Sequence, residues 1–282
     1  MQKTQAQTAI LAPLPQAASY VFFKGQSTKA QLFECLMRLS PGDDLVGIGQ
    51  PLAMTLGLTV ADALDYPSFA NSQRCLPQTP FDLLVWVRGA DAGEVALKIR
   101  QWQQRLVPHF SLVSSVDAFL HRDGRDLTGY EDGTENPDGA AAAEAALDGS
   151  GASYLALQQW RHRMDEVEHC SREQMNHIIG RDQASNRELT DAPASAHVKR
   201  TEQEAFEPHR FVLRRSMPWV QSGNMGLMFA AFGCDTQAFE AQMWRMLGRD
   251  DGIEDALFAI SEPMTGVYFY CPPCVGGRLN LE

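Results

Sequence analysis

The chain has 282 residues, 44% of them hydrophobic and 21% charged, which suits two domains of ordinary size that each bury a core. A formal net charge of -11 argues against nucleic acid or an anionic membrane as partner and favours neutral or cationic small substrates. No apolar run is long enough to span a bilayer.

From the N-terminus, Met1 to Pro15 carries neither a basic segment ahead of an apolar core nor a twin-arginine pair, so no export signal is read and a cytoplasmic location is expected. Residues 19–23 predict a strand, 27–39 a helix, and 45–48 and 83–87 apolar strands. Residues 92–107 predict a helix with Val95, Ile99, Trp102 and Leu106 on one face, and 110–120 a closing strand. The order then repeats. Residues 154–158 predict a strand, 171–179 a helix, 211–215 and 227–231 strands, 236–247 a helix and 267–270 a last strand.

The two runs match in detail. Gly89-Ala90-Asp91 corresponds to Gly233-Cys234-Asp235, each ending a strand and offering an Asp as helix N-cap. Val95, Ile99 and Trp102 align with Phe239, Met243 and Met246, and Leu83, Val85 and Val87 with Leu227, Phe229 and Ala231. The chain therefore reads as α+β: a duplicated ferredoxin-like split βαβ unit with antiparallel sheets, of the dimeric α+β barrel type. Residues 1–137 form the first unit and 152–282 the second, joined by an alanine-rich linker at 138–151.

Gly129-Tyr130-Glu131-Asp132-Gly133-Thr134-Glu135-Asn136-Pro137 closes the first unit. Gly129 and Gly133 permit positive φ or close backbone approach around one acid, and Asn136-Pro137 stops a helix from running through. A carboxylate held this way suits a general acid/base facing a ligand; a surface turn is the competing reading of Asp-Gly alone.

Among the seven histidines, His162, His169 and His177 lie in a polar stretch with Glu166, where a solvated face is simpler than a metal cluster. Nothing converges on His109 or His121. His197, in Ala194-Ser195-Ala196-His197-Val198-Lys199-Arg200, is placed where an imidazole can approach a cofactor, although a lone His often only satisfies a local hydrogen bond. Arg214 and Ser216 share one strand face and Arg215 takes the other; a surface ion pair is the simplest reading of Arg215. The six cysteines fit small core residues in a reducing cytosol. Cys271-Pro272-Pro273-Cys274 is one CxxC with no partner pair, and Val275 stands where covalent haem attachment needs His.

Together these segments resemble the dye-decolourising peroxidases, haem enzymes that reduce hydrogen peroxide. The 129–137 loop matches their GxxDG-TENP signature and residues 195–200 their SxHVxR segment. The resemblance runs from the first strand to Pro263-Met264-Thr265-Gly266 and takes in Ile178-Ile179-Gly180-Arg181 and Glu188-Leu189. It is greatest to the B-type branch, usually soluble bacterial proteins without export signals. The resemblance implies haem b, with its iron on His197, Asp255 receiving the other ring nitrogen, and Asp250 and Asp251 left solvated. It implies Asp132 as proton-transfer group, Arg214 and Ser216 as distal polar residues, and Leu227 and Phe229 as an apolar wall. Glu131, Gly133 and Thr134 complete the cofactor surroundings, and the second unit is the haem-binding one.

The partners implied are hydrogen peroxide and small dye-like or phenolic electron donors, with a homo-oligomer and loading as cargo into a protein shell as further expectations. The chain departs from the family at Trp219-Val220, where Tyr-Gly is common, and in a short segment at 201–209. Two alternatives stand beside the peroxidase. A haem carrier or iron-release protein needs His197 without the Asp132 and Arg214 combination, and a cofactor-free ferredoxin-like module needs none of them.

Overall fold

The structure is a computed structural model that describes residues 4–207, 209 and 211–282. Met1–Lys3, Pro208 and Arg210 lie outside the described residues, and with them the start of the first unit and part of the segment at 201–209.

In the first half, β1 (Ala17–Gly25) pairs with both β3 (Leu83–Gly89) and β4 (Phe110–Phe119), and β3 with β2 (Leu45–Gly49), giving the order β2-β3-β1-β4. In the second half, β5 (Ser153–His162) pairs with β7 (Asn224–Gly233) and β8 (Val267–Cys271), and β7 with β6 (Met217–Gln221), giving β6-β7-β5-β8. The order is the same in both, that of a ferredoxin-like unit. The halves then join edge to edge. Ala118 of β4 lies opposite Trp219 of β6, and Phe269 and Tyr270 of β8 lie opposite Gly49 and Ile48 of β2. Every pairing is antiparallel, and the two junctions close the sheet into a barrel, which removes the free edges of each half.

Strand periodicity sorts the side chains into two cores. Tyr20, Trp86, Val116, Leu155, Met217, Trp219, Met228, Ala230 and Phe269 pack together inside the barrel. Val21, Phe23, Val85, Ala156, Trp160 and Tyr268 belong to the outer layer. Helices α1 (Lys29–Met37) and α2 (Ala92–Leu106) cover the first half. Helices α3 (Arg172–Ile179), α4 (His197–Thr201) and α5 (Gln237–Met246) cover the second. The matched aspartates differ in role: Asp91 caps α2, accepting the Glu94 N–H at 2.9 Å, whereas the N-cap of α5 is Thr236 and Asp235, one residue earlier, accepts the Gln237 N–H at 2.8 Å in a local turn.

The structure differs from the sequence reading in several elements. The helix Gln50–Leu56 was not expected, although Pro51 in its first turn and left-handed Gly57 after it are ordinary start and stop signals. The 138–151 linker holds a helix, Gly139–Ala146, whose Ala142 and Ala146 are buried against the barrel-interior core. The strand expected at 211–215 shortens to Leu213–Arg214, and β6 follows it unpredicted despite Pro218. Both pair with β7 in one register, Leu213 opposite Phe232 and Met217 opposite Met228.

Candidate active site

The outer layers of the two halves are not equivalent. In the first, Val95 and Trp102 of α2 are buried against Val85 and Phe23 and fill the space under the helices. In the second, the corresponding space is left open as a cavity, lined by side chains of the second half together with Asp126, Thr128, Tyr130, Glu131 and Asp132. Phe239, Met243 and Met246 line it where the first half has Val95, Ile99 and Trp102. Strand β7 registers the difference directly. Met228, Ala230 and Phe232 are buried in the barrel, whereas Leu227 and Phe229 stay partly exposed because they face the cavity.

His197 enters the cavity from the first residue of α4. Helix α3 ends at Gly180, whose φ of +93° is left-handed, and a Cβ there would lie 2.3 Å from Val198 Cγ2. Only glycine lets α3 end against the turn that carries His197. Arg200 anchors the other end, donating to both Asp251 carboxylate oxygens at 2.7 and 2.8 Å and to the Arg245 carbonyl. The Ala256 N–H donates to the Ser195 carbonyl at 2.8 Å. These ties bring Asp255 beside the imidazole, and Nδ1 of His197 donates to Asp255 Oδ2 at 2.8 Å. Asp255 is buried, and its other oxygen accepts the Leu257 N–H at 2.8 Å. A carboxylate can only accept, so the proton sits on Nδ1 and Nε2 keeps its lone pair.

His162 is the informative contrast. It is buried at the end of β5 and lines the same cavity, not the solvated face expected for it. Both of its ring nitrogens are engaged, Nε2 with Asp126 Oδ1 at 2.9 Å and Nδ1 with Ser261 Oγ at 3.0 Å. Burial pushes the Asp126 carboxyl up, but the bond and charge of His162, the Thr128 hydroxyl and the Leu127 amide outweigh it and hold it below the usual carboxylate range. Of the two cavity histidines, His197 is therefore the one with a ring nitrogen, Nε2, that has no partner among the described residues.

The 129–137 loop supplies the opposing polar group. Gly129 and Gly133 have φ of +91° and +80°, and a Cβ on Gly133 would meet Asn136 Nδ2 at 2.6 Å. Asp132 lines the cavity, with Oδ1 3.5 Å from Nη1 of Arg214. That is an ion pair, too long for a strong hydrogen bond. Nε of Arg214 is buried with no partner among the described residues, so the guanidinium keeps an uncommitted donor. Arg214 itself is held by its main chain: its N–H donates to Asn136 Oδ1 at 2.8 Å and its carbonyl accepts from Asn136 Nδ2 at 2.9 Å.

The remaining expected site residues divide. Glu131 lines the cavity but is occupied by Arg125 and Asn186, each at 2.7 Å. Gly133 and Thr134 line an adjoining polar cleft that shares Asp132, His197 and Arg214 with the cavity. Ser216 is not among the lining residues; it is buried, with its hydroxyl 3.4 Å from the Ala230 N–H. Arg215 makes no ion pair among the described residues. Its guanidinium donates to the Ala12 and Leu11 carbonyls at 3.0 and 3.2 Å instead, where the helix Thr8–Leu11 leaves acceptors free. Asp251 is tied to Arg200 rather than simply solvated.

The donor set tests what the cavity can hold. Among the described residues no three His, Cys, Asp or Glu side chains are grouped to hold a bare metal ion. One free imidazole nitrogen over a slot walled by Leu227, Phe229, Phe239, Met243 and Met246 instead fits a flat apolar macrocycle that brings its own metal. Fold and site together define an α+β barrel protein with a cavity against the sheet of its second half, reached by the 129–137 loop of the first.

The family profile described as Dyp-type peroxidase, C-terminal, matches residues 123–276, more than half of the chain. The chain belongs to the Dyp-type peroxidase family. It is 28% identical to a dye-decolorizing peroxidase of Rhodococcus erythropolis over 93% of this chain and 85% of that protein. The solved structure of a dye-decolorizing protein from V. cholerae superposes with a TM-score of 0.84 at 26% identity, covering 95% of this chain and 97% of that one. A variant of DypB from Rhodococcus jostii RHA1 in complex with heme gives 0.84 at 25% identity over 94% and 95%.

Proposed function

We propose that the cavity holds haem b on Nε2 of His197 and that Asp132 and Arg214 act on hydrogen peroxide there. The family membership makes the chain a peroxidase, an oxidoreductase that uses hydrogen peroxide and organic donors. When bound, haem supplies the redox-active iron at which peroxide is reduced and donors are oxidised one electron at a time. Asp255 fixes the tautomer of His197 and strengthens Nε2 as a ligand, because a buried carboxylate favours positive charge on the ring. Asp132 takes a proton from one oxygen of peroxide and returns it to the other. Arg214 donates to that departing oxygen as negative charge grows on it, in a site where Leu227 and Phe229 exclude water.

The observation that carries this reading is the convergence of three groups on one cavity: an imidazole pinned by a buried acid, and a carboxylate and guanidinium 3.5 Å apart. A haem carrier needs only the first. The test is stopped-flow absorbance after mixing haem-loaded protein with one equivalent of peroxide. Asp132→Asn should slow the first spectral change by about 10²–10⁴-fold and Arg214→Leu by about 10²–10³-fold, both with haem content unchanged. His197→Ala should purify with little haem. Wild-type rates in both distal variants would make the carrier the better reading.

No helix among the described residues is long and apolar enough to cross a membrane. The reading also places the chain in the cytoplasm, which suits its six free cysteines. It assigns a homo-oligomer, supported by the exposed Leu112 and Val113 on β4, and cargo loading into a protein shell as the associated state to test.

A further inference from the structure

Asp132 and Arg214 come from opposite halves of the chain, one from the loop that closes the first half and the other from a two-residue strand in the second. Their spacing depends on whatever links those two backbones. Arg214 lies opposite Ala231 of β7, but the neighbouring ladder bond is made by the Arg215 N–H to the Ala230 carbonyl at 2.8 Å. In an antiparallel ladder, alternate residues turn their N–H and C=O away from the partner strand. Arg214 is such a residue, and its outward-facing N–H and C=O both meet the amide of Asn136, at 2.8 and 2.9 Å. A primary amide offers one acceptor and one donor side by side, as a neighbouring strand would. The Asn136 side chain therefore stands in for a missing strand on the far side of Arg214.

We propose that Asn136 is the positioning residue of the distal pair: it locks the backbone of Arg214 to the loop that carries Asp132, so that acid and arginine keep their separation as one unit. Asn136 does not line the cavity; it acts through Arg214. The local sequence is arranged for this contact. Asn136 lies four residues after Asp132, its own N–H donates to the Gly133 carbonyl at 3.0 Å, and Gly133 has no Cβ to displace its amide. Aspartate at 136 keeps the acceptor for the Arg214 N–H but sets a carboxylate oxygen against the Arg214 carbonyl. Alanine removes both bonds. The proposal rests on the peroxidase reading of Asp132 and Arg214 given above.

Two measurements decide it. In the haem-free full chain, amide hydrogen exchange at Arg214 should be slow in wild type, fast in Asn136→Ala, and intermediate in Asn136→Asp. In the haem-loaded protein, Asn136→Ala should lower the rate of the first spectral change with peroxide by about 10- to 100-fold, the loss typical of a displacement near 1 Å at a reacting centre. In an Arg214→Leu background the same substitution should add almost nothing, because it acts only through the arginine. An unprotected Arg214 amide in wild type overturns the proposal. So does an Asn136→Ala loss of the same size with and without Arg214, which makes Asn136 a general stabiliser of the fold. If Arg214→Leu alone leaves the rate unchanged, the distal role given to Arg214 fails first, and the positioning role fails with it.

Discussion

Replacing Gly180 by alanine should loosen the seat of His197 without touching the cavity. Gly180 closes α3 at a φ of +93°, where a residue with a Cβ costs about 1–2 kcal/mol. The added methyl would also sit 2.3 Å from Val198 Cγ2 and 3.2 Å from the Ala196 Cβ. Overpacking of that kind typically costs about 1–3 kcal/mol, so the two effects together give about 2–5 kcal/mol. Part of it can be relieved by moving α4 away from α3. That relief is resisted by the Arg200–Asp251 pair and by the bond from Ala256 N–H to the Ser195 carbonyl. The strain should therefore appear partly as lower stability and partly as weaker haem binding. Urea unfolding of the haem-free chain, followed by circular dichroism, reads the first, and haem titration by visible absorbance reads the second. Adding Val198→Ala removes the atom that clashes but leaves the left-handed backbone. The double variant should thus recover the packing share and keep the loss of about 1–2 kcal/mol due to conformation. If Gly180→Ala alone unfolds at the wild-type urea concentration and binds haem as tightly, the α3–α4 contact does not set the histidine.

Asp126 gives a pH-dependent expectation. Its folded carboxyl is held below the ordinary value of 3.8, so its stabilising contribution is complete above that pH and fades as the pH falls through the lower folded value. The stability gap between wild type and Asp126→Asn, measured in urea, should shrink as the pH falls below about 3.8; a gap that stays unchanged on acidification would refute the stabilised carboxylate. The cysteines should divide by exposure: iodoacetamide at pH 8 should label Cys75 in the folded protein and spare Cys271, whose thiol is buried and pushed well above its usual range by that burial. Rapid labelling of Cys271 without denaturant, seen by peptide mass spectrometry, would contradict its place inside the barrel.

Much of this protein was readable before any coordinates. Strand and helix periodicity located the repeated βαββαβ order, and the matched Gly-x-Asp turns and apolar stripes showed the duplication, because both depend on local chemistry within one element. The 129–137 loop stood out by its glycine pair around one acid, whereas His197 was singled out by the resemblance of residues 195–200 to the family's SxHVxR segment. What the sequence could not decide is which identical-looking stripe is core and which is a binding wall. Val95, Ile99 and Trp102 pattern like Phe239, Met243 and Met246, and only the packing of α2 and α5 against their sheets fills one space and leaves the other open. The same holds for His162 and Ser216. His162 sits in a polar run yet is buried, because strand pairing carries β5 beyond the predicted stretch and brings Asp126 and Ser261 to both ring nitrogens. Ser216 shares strand parity with Arg214 yet stays out of the cavity lining. Partners distant in sequence settled these cases, and local pattern carries no information about them. Asn136 is the clearest case: the sequence shows only a turn before proline, and the strand it replaces exists only once the two halves have closed on each other.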